Sequence, residues 1–375
     1  MSKINTNMRY EQLLEAPDIE IEKNLEKLDF ITDYLRNNPE YMAKFHKVLK
    51  QKEREQEVSK GNPDAVNIAA KLAPKITTPE KDHTPLVKRF IEAMVQSEGD
   101  DDDMINFVNT YGKVSYINTK KLKTEGKKQN FQAWLGGKGK VSNEFIWSLF
   151  DNLFPRDTFG GPGETAMALL SPTITRPDGN KGDLVIDGVK VEVKGEAAKG
   201  GGRLKDEASS IGIPNIQPIY DQVKQQQQAI ELPPYERISA GATGRETNTK
   251  KGKKHQLLNV AKQIDVVDPA LADQFMKEML TGAFKKVANQ YDSLFANWRG
   301  MDFQAINYAA SKMSYLNYKT ELDAKEFTHI LLLNLPKRTS VYFDTNNFDS
   351  VRNLFTLGSV DFGDKQNAAA AQISL

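Results

Sequence analysis

Asp187-Gly188 stands between two short runs of alternating character, Leu184-Val185-Ile186 and Val189-Lys190-Val191-Glu192-Val193-Lys194. A two-residue turn between paired strands needs positive φ, which Asp and Gly tolerate. The dipeptide therefore predicts a β-hairpin that turns at 187–188. In its second strand Val189, Val191 and Val193 share one face, and Lys190, Glu192 and Lys194 share the other. Leu184 and Ile186 line one face of the first strand, and Asp183 sits where that strand begins.

A twisted hairpin of this length brings Asp183 toward Glu192 and Lys194. Two carboxylates beside an ammonium suit a Mg²⁺ ion, which favours one or two carboxylates, waters and substrate phosphate. Such an ion lowers the pKa of a bound water and offsets charge on a scissile phosphate. A neighbouring lysine orients the attacking water. The triplet Glu192-Val193-Lys194 also has a plainer reading, a solvated strand face with an ion pair worth ~0–1 kcal/mol. Asp187 needs no chemical role, because its place before Gly188 explains it. The run Lys199-Gly200-Gly201-Gly202-Arg203-Leu204-Lys205 follows directly, and a flexible basic loop suits close approach to phosphate.

Asp183 followed by Glu192-Val193-Lys194 resembles the Asp…(Asp/Glu)-X-Lys signature of the PD-(D/E)XK nuclease superfamily, which includes many restriction endonucleases and phage and repair nucleases. The match spans Gly163 to Gly195. The family places a glutamate-bearing helix before the hairpin, and Glu164, heading Gly163-Glu164-Thr165-Ala166-Met167-Ala168-Leu169-Leu170, fits that position. An acidic residue in a first helical turn is also favoured by the helix dipole alone.

The resemblance implies Mg²⁺, with Mn²⁺ as a substitute, held by Asp183, Glu192 and the backbone carbonyl of Val193. Glu164 would support the metal and Lys194 would position water. The implied substrate is DNA, cut to leave a 5′-phosphate, in a chain acting alone or as a homodimer or larger complex. The implied fold is α/β, a restriction-endonuclease-like mixed sheet flanked by helices. The alternative is a catalytically inert nucleic-acid-binding or virion-assembly protein on the same fold. RNA as substrate is not separated from DNA by these residues.

Around that core, residues 1–103 read as a helical region and 104–375 as the nuclease-like part. A large, mostly helical insertion occupies about 205–325. Within the first region Ile21, Leu25, Leu28, Ile31 and Leu35 keep helical spacing. The acidic run Asp100–Asp103 reads as a linker or loop. Phe145, Ile146, Leu149 and Phe150 belong to a short apolar helix. Later, 269–298 keeps helical periodicity, Ser239–His255 reads as a mobile loop, and Met301–Tyr318 as a further helix. Thr328–Leu335 is a buried-strand candidate with Ser340–Asp344 as its neighbour.

Charge is uneven. The chain carries a net +1, yet Lys113 to Lys140 holds eight lysines against the single acid Glu125. Tyr116, Phe131 and Trp134 lie among them. This pattern fits either contact with a polyanion, through Lys138 and Lys140 among others, or a lysine-rich loop over core aromatics. Lys250-Lys251-Gly252-Lys253-Lys254-His255 reads as a solvated loop.

Other chemistries lack their residues. There is no cysteine, which excludes disulfides and thiolate zinc sites. The four histidines have no paired ligand spacing. Gly160–Thr165 and Gly136–Lys140 are glycine-rich but do not satisfy G-x-x-x-x-G-K-[ST], so no nucleotide cofactor is expected. The first residues are polar with no secretory h-region, and no apolar run approaches ~20 residues, so no membrane contact and a cytoplasmic location are expected.

Overall fold

The computed structural model describes residues 89–90, 92–94, 96–155, 161–176, 184–196, 202–204, 212–227, 229–241, 254–362 and 371–375. The expectations for residues 1–88, for Asp183, Lys199 and Lys205, and for most of 239–255 lie outside them. The protein is mixed α/β. Its strands are β1 (Lys127–Asn130), β2 (Ile174–Thr175), β3 (Leu184–Ile186), β4 (Val189–Glu196), β5 (Gly202–Leu204), β6 (Ile238–Ser239), β7 (His255–Gln256), β8 (His329–Asn334), β9 (Thr339–Asp344), β10 (Thr356–Leu357) and β11 (Ala371–Ser374). Six form one mixed sheet in the order β1-β9-β8-β4-β3-β2, flanked by helices. Two smaller sheets run β10-β11-β5 and β6-β7.

The chain divides into two compact units. One comprises Met1–Thr124 with Asn130–Val193, the other Glu125–Gln129 with Lys194–Leu375. In the first, the hairpin forms with the expected turn. Asp187 has φ 47° and Gly188 φ 82°, the paired positive angles of a two-residue turn. Its register sets Ile186 opposite Val189 and Leu184 opposite Val191. The Lys123 ammonium lies 2.8 Å from the Asp187 carboxylate.

Partial burial works to raise the Asp187 pKa, but hydrogen bonds from Lys123, Thr119 and Thr173 outweigh it and hold the carboxyl below its usual range. A depressed carboxylate contributes stability above its unfolded pKa, and that contribution is lost as pH falls through the folded value. Lys123→Met is therefore expected to cost under about 1 kcal/mol at pH 7. The loss should fade as pH falls through the depressed folded value, where the carboxyl is protonated in both states. Urea unfolding followed from pH 7 down into the acid range checks this.

The acidic run Asp100–Asp103 is not a loop. It opens helix α1 (Asp101–Thr110), with Asp100 as N-cap and Asp103 closing a reciprocal capping box. Carboxylates are favoured there because they accept the orphan N–H groups and face the positive end of the dipole. Asp103 also accepts from the Ser142 N–H and hydroxyl at 2.5 and 2.6 Å. Ser142 in turn caps helix α2 (Asn143–Leu153), the apolar helix expected near 145–150. Its Phe150 meets Phe131, Trp134 and Phe154 at ring separations of 5.3, 5.9 and 5.6 Å. Helix α3 (Glu164–Leu170) is buried along its whole length.

Among its described residues between 212 and 324 the second unit is largely helical. It holds α4 (Gln217–Gln226), α5 (Leu257–Val267), α6 (Pro269–Ala283) and α7 (Phe303–Ala324). Asp268 caps α6 through the N–H groups of Ala270 and Leu271, with Pro269 in the first helical position. The unbroken periodicity of 269–298 does not yield one helix. At Phe284 the backbone leaves helical angles (φ −114°, ψ 59°), and a 3₁₀ stretch and the short helix Tyr291–Phe295 follow. The Ala283 carbonyl accepts from Gly212 N–H at 2.9 Å, so another segment takes over a bond the helix would have used.

The ends of 239–255 are not loop: Ser239 lies in β6 and His255 in β7, which pair in parallel. β8 and β9 pair antiparallel as expected, from His329 opposite Asp344 to Asn334 opposite Thr339. No helix among the described residues is long and apolar enough to cross a membrane.

Candidate functional site

Strand alternation alone would put Lys190, Glu192 and Lys194 in water. The hairpin obeys that alternation but the face is covered. Glu192 is only 5% exposed and Glu196, two residues past Lys194 on the same face, 7%. A solvated ion-pair face therefore does not describe β4 at Glu192. Burying a carboxylate is costly unless charge or hydrogen bonds compensate it. Glu196 Oε2 accepts from Asn334 Nδ2 at 2.5 Å and from Ser374 Oγ at 3.3 Å. Lys194 is half-buried, with its ammonium 5.4 Å from the centre of the Tyr318 ring on α7. That lies within range of a cation–π attraction.

Glu164 is built in more elaborately. It is the first residue of α3 and is 5% exposed. Its Oε1 accepts the Gly161 N–H at 2.8 Å, and its Oε2 lies 3.7 Å from Arg176 Nη2. A Cβ on Gly161 would sit 2.2 Å from that Oε1, so a side chain there must push the Glu164 carboxylate aside. Gly163, the residue before the helix, has φ 87° and donates to the Phe154 carbonyl at 2.7 Å. Gly161 thus cradles the glutamate of its own motif. Next to it the Thr165 hydroxyl is buried with no hydrogen-bond partner among the described residues.

Among its described residues the first unit therefore contains three buried carboxylates, Asp103, Glu164 and Glu192, of which Asp103 is taken up by the capping bonds of α1 and Ser142. Val193 follows Glu192 and is 4% exposed. Asp183 lies outside the described residues, and among those described no group of three acidic or histidine side chains is placed to hold a metal ion. Lys138 and Lys140 are exposed. Arg203 lies on β5, its backbone opposite Gln372. The aromatics of the lysine-rich stretch do not face solvent: Tyr116, Phe131 and Trp134 are each 2% exposed, so the polyanion reading keeps its cations and loses its stacking platform. His329 stacks on Tyr342 at 4.8 Å.

Arg176, Gly161 and Tyr318 escape the sequence reading. Arg176 stands seven residues before Asp183, close enough in sequence to be noticed. Tyr318 lies on a helix more than a hundred residues from Lys194, and no local pattern joins them. No protein-family model, curated protein or solved structure matches the chain.

Proposed function

We propose that the chain is a metal-dependent deoxyribonuclease with a restriction-endonuclease-like core, cutting phosphodiester bonds at the end of the β3–β4 hairpin. The observation that carries this reading is the burial of Glu192 within a Glu-X-Lys triplet whose lysine shares its face. The six-stranded mixed sheet with flanking helices and the buried Glu164 support it.

The donor set fits a hard divalent cation. Glu192 and Glu164 are carboxylates withdrawn from bulk water, where a cation offsets the cost of their burial. Asp183, Glu192, the Val193 carbonyl and Glu164 would hold Mg²⁺ or Mn²⁺. The reading requires Asp183 to stand opposite Glu192, the pairing obtained if the Leu184–Val191 register runs one residue further. When bound, the metal supplies an activated water and charge neutralisation at the scissile phosphate.

The chain's own groups do the rest. Lys194 directs its ammonium, steadied by the Tyr318 ring, at the attacking water and the developing charge. Arg176 lies beside Glu164, where a guanidinium can bind a phosphate oxygen. Lys138, Lys140, Lys199, Arg203 and Lys205 would contact the DNA backbone. Water adds to phosphorus, the 3′-oxygen leaves, and the product carries a 5′-phosphate.

Incubating the purified chain with supercoiled plasmid and Mg²⁺ tests the reading. Nicked or linear product that disappears with a chelator is the expected result, and no cutting of any DNA form in Mg²⁺ or Mn²⁺ defeats it. Gly161→Ala, which must displace the Glu164 carboxylate, is expected to slow cleavage about 10–100-fold while the melting temperature moves little. Single-turnover rates beside a thermal melt check it.

One observation favours a second reading. Glu164 already has a guanidinium and a backbone N–H, the arrangement expected if the fold binds nucleic acid or assembles a virion without catalysis. That protein would bind DNA and take up no metal at millimolar Mg²⁺ or Mn²⁺ in a calorimetric titration.

A further inference from the structure

Two segments of the first unit, 113–124 and 130–140, carry six lysines and no acidic residue. They are held side by side. Ile117 bridges Leu135 antiparallel, Asn118 N–H donates to the Trp134 carbonyl at 2.6 Å, and Gly136 N–H to the Tyr116 carbonyl at 3.1 Å. The pair is tied to the elements that carry the buried carboxylates. Tyr116 N–H donates to the carbonyl of Leu170, the last residue of α3, at 2.9 Å. Lys123 bridges to Asp187 in the β3–β4 turn.

The loop that presents Lys138 and Lys140 is tightly shaped. Gly137 N–H donates to Asn143 Oδ1 at 2.9 Å, a Cβ on Gly137 would lie 2.1 Å from the Val141 carbonyl oxygen, and Gly139 turns at φ 65°. Lys113, Lys120, Lys121, Lys138 and Lys140 are exposed, while every aromatic side chain of these segments is in the core.

We infer that these lysines form a docking surface for the phosphate backbone of duplex DNA, engaged without stacking. The substrate class rests on the nuclease reading above. The binding mode rests on the surface itself. Single strands are held by bases stacked on exposed aromatics, and this surface offers none. Several exposed cations on two hydrogen-bonded segments suit instead the dense, regular charge of a duplex, whose binding is driven by counterion release.

The test is fluorescence anisotropy with the full chain and a labelled random-sequence duplex, titrated with salt in EDTA so that nothing is cut. A single strand of the same sequence and a duplex RNA serve as competitors. The duplex DNA is expected to bind tighter than both. In the double variant Lys138→Gln, Lys140→Gln the slope of log affinity against log salt should flatten by about 1.8, two phosphate contacts at about 0.9 each. The affinity lost between 50 and 200 mM salt then shrinks about 12-fold. Lys120→Gln with Lys121→Gln should do the same independently, and unchanged melting temperatures exclude misfolding.

An unchanged slope in both variants, equal competition by the single strand, or tighter binding of the RNA overturns the inference. Salt-sensitive duplex binding in a chain that never cleaves would count against the nuclease site alone.

Discussion

Glu192→Gln is expected to lower Mg²⁺-dependent plasmid cleavage by about 10³-fold or more, a barrier increase of about 4 kcal/mol. The amide keeps the volume of a side chain that is 5% exposed, so the fold survives, but it removes the charge that would hold the cation. Lys194→Ala should lose about 10²–10³-fold, the scale of one electrostatic group aimed at developing charge. Metal uptake separates them: calorimetry should show it lost in Glu192→Gln and retained in Lys194→Ala. Tyr318→Phe keeps the ring under the ammonium and should be nearly silent, whereas Tyr318→Leu removes it. If Glu192→Gln and Lys194→Ala both cut at the wild-type rate, the site lies elsewhere.

Phe150→Ala carries the largest expected cost in stability, about 3–5 kcal/mol. Phe150 is fully buried and touches three other aromatics in the first unit. Truncation removes transfer free energy and leaves a cavity that rigid rings close poorly. The loss belongs to the unit that holds Glu164 and Glu192, so metal-dependent cleavage should fail at lower urea in the variant than in wild type. Parallel unfolding and activity curves in urea measure both. A loss below ~1 kcal/mol would mean that the site's unit is loosely packed there.

The parts legible in the sequence are those set by neighbours along the chain. Asp187-Gly188 announced its turn because two adjacent residues must take positive φ, and the alternation beside it set the register of β3 on β4. The apolar run at 328–335 announced β8 because a strand buried on both faces leaves no polar alternation. Asp100–Asp103 misled for a local reason too, since a charge run and a capped helix start share a composition until the cap geometry is known. The even periodicity of 269–298 hid a break at Phe284, where a distant segment takes a helical carbonyl.

The hairpin and its Glu-X-Lys triplet were thus determined by the sequence alone, through turn chemistry and the two-residue period of a strand. Whether that triplet faces water or the interior was not, because alternation says which side chains share a face and nothing about what covers it. Only the tertiary structure decided that Glu192 is buried, that Gly161 and Arg176 grip Glu164, and that Tyr318 lies against Lys194. It also decided that the aromatics among the lysines are core. Except for the local grip of Gly161 on Glu164, these depend on contacts between separate segments, where burial and charge compensation are settled by packing and leave no periodic trace in the residues themselves.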